Sequence, residues 1–330
     1  MQVRGGRFAV TGGAGFIGSN LVRALLDGGA ARVAVLDNLV RGRARNLEDL
    51  AGDRRLEVLL GDLREGWPAE AVVRDCDAVY HLAALRIPRC QERPDECLDS
   101  MVRGTYSLLD AAARHAVKKV IYASSVAVYG QPARLPVDED APAAPTTFYG
   151  AAKAAGEGLL RAFGARGAFQ WTILRCFNVY GPRMDHAGPH TEVLVRWMRA
   201  LRCGRPPKVF GDGETTLDLA HIDDVVTAYL AALAPRASGG VYNIGAGTQV
   251  SLAALARVLA AAAGSGLEPE FAAAPPAVLA PRMEASVERA RRELGFVPRV
   301  PLSAGLASLW RWFCEVDTAA ADAGNAEVAE

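Results

Sequence analysis

The chain has 330 residues, 51% of them hydrophobic, enough for one large α/β unit or two small domains. Lys plus Arg and Asp plus Glu both total 37, so no global field draws the protein to nucleic acid or a membrane surface, and any anion site must be built locally. Six cysteines, at 76, 90, 97, 176, 203 and 314, form no CxxC pair and have no histidine cluster beside them, which excludes a readable zinc site or disulfide framework.

Free thiols suit a reducing compartment. The N-terminus enters an apolar strand at Phe8 without the zones of a signal peptide, and no apolar run reaches the roughly 20 residues of a membrane span. A soluble cytoplasmic protein is expected, with small-molecule partners and no metal.

Strands are predicted over 7–11, 32–37, 56–61, 78–81, 119–124 and 171–177, and the clearest helices between them over 17–27, 96–115 and 148–163. Short apolar runs alternating with helical periods predict a Rossmann-like α/β domain over 1–180, with a doubly wound parallel sheet. After Gly181 a Pro/Gly-rich loop leads to a helix around 192–201 and then a turn, strand and turn over 204–213. This begins a smaller C-terminal substrate-binding lobe, expected over 181–316. A helix over 223–233 and a strand over 241–244 read as a return of 221–247 to the first domain. The tail 317–330 is Ala-rich and acidic without apolar period, and is expected to be disordered.

Thr11-Gly12-Gly13-Ala14-Gly15-Phe16-Ile17-Gly18 follows the first strand and opens the first helix. Gly12 permits the tight turn, Gly15 lets backbone amides approach a pyrophosphate, and Gly18 lets helix and strand pack closely. Asp37 ends the second strand, where a carboxylate can accept both hydrogen bonds of an adenosine ribose diol and repel a 2′-phosphate. NAD is therefore favoured, although Arg41, Arg43 and Arg45 just beyond could meet a phosphate. Asp62, at the end of the third strand, is placed to meet the adenine amino group.

Tyr149 and Lys153 are four apart at the start of a predicted helix, so both project from one face. An ammonium beside a phenol stabilises the phenolate and lowers a pKa that is about 10 unperturbed. Ser124-Ser125, at the end of the fifth strand, supplies a hydroxyl to the same place.

The glycine turn, Asp37, His81-Leu82-Ala83-Ala84, Ser125 with Val128-Tyr129-Gly130, and Tyr149-Gly150-Ala151-Ala152-Lys153 occur in the order found in extended short-chain dehydrogenases. Arg175-Cys176-Phe177-Asn178-Val179-Tyr180-Gly181-Pro182, Gly211-Asp212-Gly213, Asp223-Asp224 and Leu294-Gly295-Phe296 continue the match. The chain resembles the NAD-dependent nucleotide-sugar epimerases and dehydratases, among them the UDP-glucose 4-epimerases.

That resemblance implies a homodimer paired through a four-helix bundle, and a cofactor lying along Gly12, Gly15, Phe16, Ile17, Gly18, Asp37, Asn38, Asp62, Leu63, Leu82, Ala83, Ala84, Tyr149 and Lys153. Tyr149 would exchange a proton with the sugar 4-hydroxyl, Lys153 would hold the nicotinamide ribose, and Ser125 would bond the same hydroxyl. Asn178 would contact the sugar or its diphosphate. Dehydratases and decarboxylases of the superfamily carry an acid two places after the catalytic Ser or Thr, and this chain has Ala127 there. A 4-epimerase is expected, ahead of a dehydratase or a 4-keto-reductase. A non-catalytic NAD(H)-binding regulator would not need Ser125, Tyr149 and Lys153 together.

Two departures concern the substrate. The family's diphosphate-gripping arginine after Gly-Asp-Gly is replaced by Leu217, ahead of Asp218, and a second near 275–277 is missing. Arg86, Arg89, Arg183 and Arg282 are the candidate substitutes, with His190 and Glu192 as further candidates. Counting back from Leu294-Gly295-Phe296 places Met283 where related epimerases carry a sugar-lining residue, and a flexible methionine there is expected to admit a bulkier sugar.

Overall fold

The computed structural model describes residues 1–186, 191–273 and 283–326, with side chains through 316. In chain order its first half comprises β1 (Arg7–Thr11), α1 (Phe16–Asp27), β2 (Arg32–Asp37), β3 (Leu56–Leu60), α2 (Trp67–Val73), β4 (Ala78–His81), α3 (Ile87–Glu92), α4 (Pro94–Leu98), α5 (Gly104–Arg114), β5 (Lys119–Ser125), α6 (Phe148–Ala165) and β6 (Gln170–Cys176). The second half comprises β7 (Asn178–Tyr180), α7 (Val193–Arg202), β8 (Lys208–Phe210), β9 (Thr216–Leu217), β10 (Leu219–His221), α8 (Ile222–Ala231), β11 (Gly240–Ile244), β12 (Val250–Ser251), α9 (Leu252–Ala262), β13 (Glu270–Ala272), α10 (Glu288–Leu294) and α11 (Leu302–Ala326).

Seven strands form one parallel sheet in the order β11-β6-β5-β4-β1-β2-β3. The chain moves outward from β1 to β3, returns to β4 and continues in the other direction. The strand order thus reverses between β1 and β4, where a crevice opens at the carboxyl ends of the strands. β4 and most of β5 are buried, as expected of short apolar runs covered on both faces. One face packs Leu21, Leu25, Val225 and Tyr229 from α1 and α8; the other packs Val72, Leu108 and Leu160 from α2, α5 and α6.

A third core lies outside the sheet, with Trp197, Leu201, Leu255, Leu259, Leu309 and Phe313 from α7, α9 and α11. No described helix is long and apolar enough to cross a membrane.

The six strands expected before residue 180 fall within one residue of their places. The expected helix over 96–115 is interrupted: α4 gives way to a π-helical turn, Asp99–Arg103, before α5 begins. After this wider turn Gly104 packs against Leu63, and Thr105 bonds His81 across the cleft floor. The backbone of α11 continues to Ala326, into the tail expected to be disordered, where a run of alanines favours helix. Residues 327–330 lie outside the described ones.

Candidate active site

The crevice at the strand reversal is a cleft of about 350 Å³, lined by the glycine turn, the end of β2, Leu82–Leu85, the end of β5, Tyr149 and Lys153. The dinucleotide candidates Gly12, Gly15, Phe16, Ile17, Gly18, Asp37, Asn38, Asp62, Leu63, Leu82, Ala83 and Ala84 all lie on its wall. Gly12 has φ +70°, and a Cβ there would stand 2.8 Å from the Ala83 nitrogen, so the turn and the β4 loop can meet only through glycine. A Cβ on Gly18 would overlap the Gly12 carbonyl oxygen. These are the close approaches that a pyrophosphate at the start of α1 requires.

Asp37 is 6% exposed, and each carboxylate oxygen accepts one backbone amide, Leu39 N at 2.8 Å and Ala14 N at 3.0 Å. Each oxygen keeps a lone pair for a ribose diol. Burial pushes this carboxyl above the usual carboxylate range, against the two amides and Arg41. Asp62 is instead held down to about 2 by Arg64, and also accepts Asn38 Nδ2 at 2.7 Å. Arg43 pairs with Asp185 at 3.5 Å and Arg45 turns to His186, so both are engaged by the loop after β7.

Ser125, Tyr149 and Lys153 meet where β5 runs against α6. Thr147 caps α6 by accepting Gly150 N at 3.0 Å, which starts the helix one turn before the lysine. The Ser125 hydroxyl accepts Ala127 N at 3.2 Å and faces the Tyr149 phenol, whose ionised form it favours. Lys153 Nζ donates to the Ala123 carbonyl at 2.6 Å and lies 5.8 Å from the Tyr149 ring centroid.

The phenol does not lie below its ordinary range, the direction expected from the sequence. Burial pushes Tyr149 above its ordinary range, and the groups that oppose it are Arg41 first and Ser125 second. The ammonium is aimed at a carbonyl of β5, and burial brings Lys153 itself down to about 8. His81, expected only as part of a motif, is pushed by burial to about 3 and bridges Thr11 Oγ1 at 2.7 Å and Thr105 Oγ1 at 2.9 Å as a neutral ring.

The substrate-side candidates divide. Arg86 and Asn178 line the cleft, Arg86 in an ion pair with Asp185, and Asn178 donating from Nδ2 to the Asp218 carbonyl at 3.0 Å. Arg183 is turned away, its Nη1 donating to Asn20 Oδ1 on α1 at 3.1 Å, and it is not part of the lining. Arg89 pairs with Glu96 at 2.8 Å on the surface. Met283 is 6% exposed, in the core cluster that also holds Ala285 and Val287, and it is not among the residues lining the cleft. Glu192 is on the lining, whereas His190, Arg282 and the stretch 275–277 lie outside the described residues.

Three residues take places at the site that the sequence reading did not give them. Arg41 reaches into the cleft, with Nη1 3.5 Å from the Leu85 carbonyl, and no periodicity marks a long side chain in a loop. Asp218 is fully buried and accepts Ala246 N, Gly247 N and Ala285 N at 2.6, 3.1 and 2.9 Å, so it staples the loops behind Leu217. Glu157 sits under the catalytic candidates in an ion pair with Arg175 at 2.8 Å; its place four residues after Lys153 was a usable signal.

Comparison with known proteins agrees with this geometry. The model of the NAD-dependent epimerase/dehydratase family matches residues 8–245. The UDP-glucose 4-epimerase of Mycolicibacterium smegmatis is 37% identical over 93% of this chain and 98% of its own length. A dTDP-glucose 4,6-dehydratase of Streptomyces niveus is 32% identical over 93% of this chain and 92% of its own. The crystal structure of the Thermotoga maritima UDP-glucose 4-epimerase with UDP-glucose superposes with a TM-score of 0.86 at 31% identity, covering 94% of this chain and 99% of that one.

Proposed function

Because the chain belongs to the NAD-dependent epimerase/dehydratase family, we propose that it binds a nucleotide-activated sugar beside NAD and inverts the configuration at sugar carbon 4. The observation that carries this choice is the Ser125–Tyr149–Lys153 set without an added acid. Among the described residues the carboxylates lining the cleft are Asp37, Asp62, Asp185 and Glu192, and none comes from the segment between Ser125 and Tyr149. Elimination or decarboxylation would call for such a group next to carbon 5.

Bound NAD supplies the hydride acceptor and, once reduced, the hydride donor for carbon 4. Tyr149 Oη takes the proton of the 4-hydroxyl and later returns it, while Ser125 Oγ holds the same oxygen in line. Lys153, fixed on the Ala123 carbonyl, presents its ammonium to the cofactor ribose. Inversion further requires the 4-keto sugar to turn over, so that hydride would return to the opposite face of carbon 4 while the oxygen stays within reach of Tyr149 Oη. With Leu217 at the position of the missing arginine, the diphosphate is assigned to Arg86 and Arg41, the arginines on the cleft wall among the described residues.

The test is an NMR screen of UDP-, dTDP-, GDP-, CDP- and ADP-sugars with the purified protein. A 4-epimer without net NAD consumption is expected. A 4-keto-6-deoxy product would make it a dehydratase, net NAD turnover a 4-keto-reductase or dehydrogenase, and no conversion by NAD-loaded protein a binding protein.

Assembly belongs to the same proposal. Leu98, Tyr106 and Phe148 are 54%, 50% and 46% exposed on the helices around α5 and α6, an apolar surface fit for a two-fold four-helix contact. A dimer mass is expected by light scattering at micromolar concentration; a monomer mass would remove it. Six free thiols fit residence in the cytoplasm.

A further inference from the structure

Beneath the acid–base set lies a buried acid that proton transfer does not use. Tyr149, Lys153 and Glu157 are spaced by four along α6, so they share the face that meets β5. Three successive residues of β5, Ala123, Ser124 and Ser125, receive them. Ser125 faces the Tyr149 phenol and favours its ionised form, Lys153 Nζ donates to the Ala123 carbonyl at 2.6 Å, and from the residue between these Ser124 Oγ donates to Glu157 Oε1 at 2.6 Å.

Glu157 is 2% exposed and accepts Arg175 Nε and Nη2, both at 2.8 Å, and Arg161 Nη2 at 3.0 Å. Arg175 continues through Nη1 to the Tyr129 hydroxyl at 2.9 Å, and Tyr129 donates to Asn243 Oδ1 on β11 at 2.7 Å. One carboxylate therefore ties α6 to β5 and, through Arg175, to β6 and β11.

Burying an ion pair does little for stability, because desolvation offsets the attraction, and an apolar pair of similar volume often does as well. An apolar pair could not hold the Ser124 hydroxyl. We infer that Glu157, braced by Arg175, is a positioning residue that fixes Ser124 and thereby the mutual placement of Ser125 Oγ, Tyr149 Oη and Lys153 Nζ. The inference rests on the reading of those three as the acid–base set.

Three variants test it: Ser124→Ala, Glu157→Gln, and the double change Glu157→Met with Arg175→Met, which removes both charges and guards against a misfolded single variant. In each, kcat for 4-epimerisation falls on the order of 10- to 100-fold, the scale of a displaced reacting group. KM changes by less than about threefold, and NAD content is retained.

A second readout needs no substrate. The phenol of Tyr149, followed in the NAD-loaded protein by carbon-13 tyrosine NMR and assigned with Tyr149→Phe, titrates at higher pH in Ser124→Ala. The groups facing it are Arg41, Ser125, Lys153, Cys90 and Cys176; Arg41 and Ser125 favour phenolate, and of these two Ser125 is the one that Ser124→Ala loosens. Wild-type kcat and an unchanged phenol titration in the folded double variant, or in Ser124→Ala, overturn the inference. Failure of the wild-type protein to convert any nucleotide sugar defeats the 4-epimerase reading alone, and the titration still decides the role of Glu157.

Discussion

The floor and the roof of the cleft are built in different ways. On the floor, each working atom projects from a regular element: the glycine turn joins β1 to α1, Asp37 ends β2, Ser125 ends β5, and Tyr149 and Lys153 stand one turn apart on α6. On the roof the residues come from loops, and distant partners decide where they point. Arg183 is captured by Asn20, Arg86 by Asp185, and Met283 is folded inward. Spacing within a helix or strand fixes direction in space, whereas spacing within a loop does not.

The largest expected effect lies on the floor. Tyr149→Phe should lower kcat by a factor on the order of 10² to 10⁴, the range of a general acid–base group, while NAD stays bound. Retention of more than about a tenth of wild-type activity, under ~1.4 kcal/mol in barrier, would take the tyrosine out of the mechanism.

A smaller effect should cross between the two regions. Arg41 comes from a loop but acts on the floor, since its cation favours the Tyr149 phenolate against burial. In Arg41→Gln the phenol pKa should rise further, because the cation that opposes burial is gone. Less phenolate is then present at neutral pH, so kcat/KM should drop severalfold near pH 7 and recover at alkaline pH. A pH–rate profile with an unmoved acid limb would confine Arg41 to the roof.

The smallest effect on activity is expected at Met283. A tyrosine there overpacks a core position, so Met283→Tyr should cost about 1–3 kcal/mol of stability and lower Tm. The kcat/KM ratio between a glucose-type and a 2-acetamido sugar should stay at the wild-type value. Selective loss for the bulkier sugar would show that the side chain reaches the pocket after all, and would blur the division between floor and roof.

The sheet was readable because its strands are short apolar runs bounded by turn residues, and the turn from Thr11 to Gly18 because only glycine survives next to Ala83. What spacing could not convey was the weight of burial. Tyr149 and Lys153 do share a face, yet the ammonium is drawn to the Ala123 carbonyl and burial dominates the phenol. The π-helical turn at Asp99–Arg103 was hidden for a related reason: an inserted residue shifts the helical phase without changing composition. Glu157 stands four residues after Lys153 and Arg175 near the end of an apolar strand, but spacing alone does not say that the two meet until α6 is laid against β6.

The place of β11 carries a consequence for the history of each molecule. Gly240 pairs with Thr172 and Ile244 with Cys176, so the outermost strand of the sheet arrives only after β7, α7, β8, β9, β10 and α8 have been made. A chain emerging from the ribosome through Tyr180 holds β6 as an open edge, with unpaired amides and carbonyls that another nascent chain could zip onto. Closure must wait for a long loop to be drawn in, a slow, non-local event. The same threading forbids separating the molecule by one cut: a break after Tyr180 would leave one piece without its border strand and the other with a strand that has nothing to border.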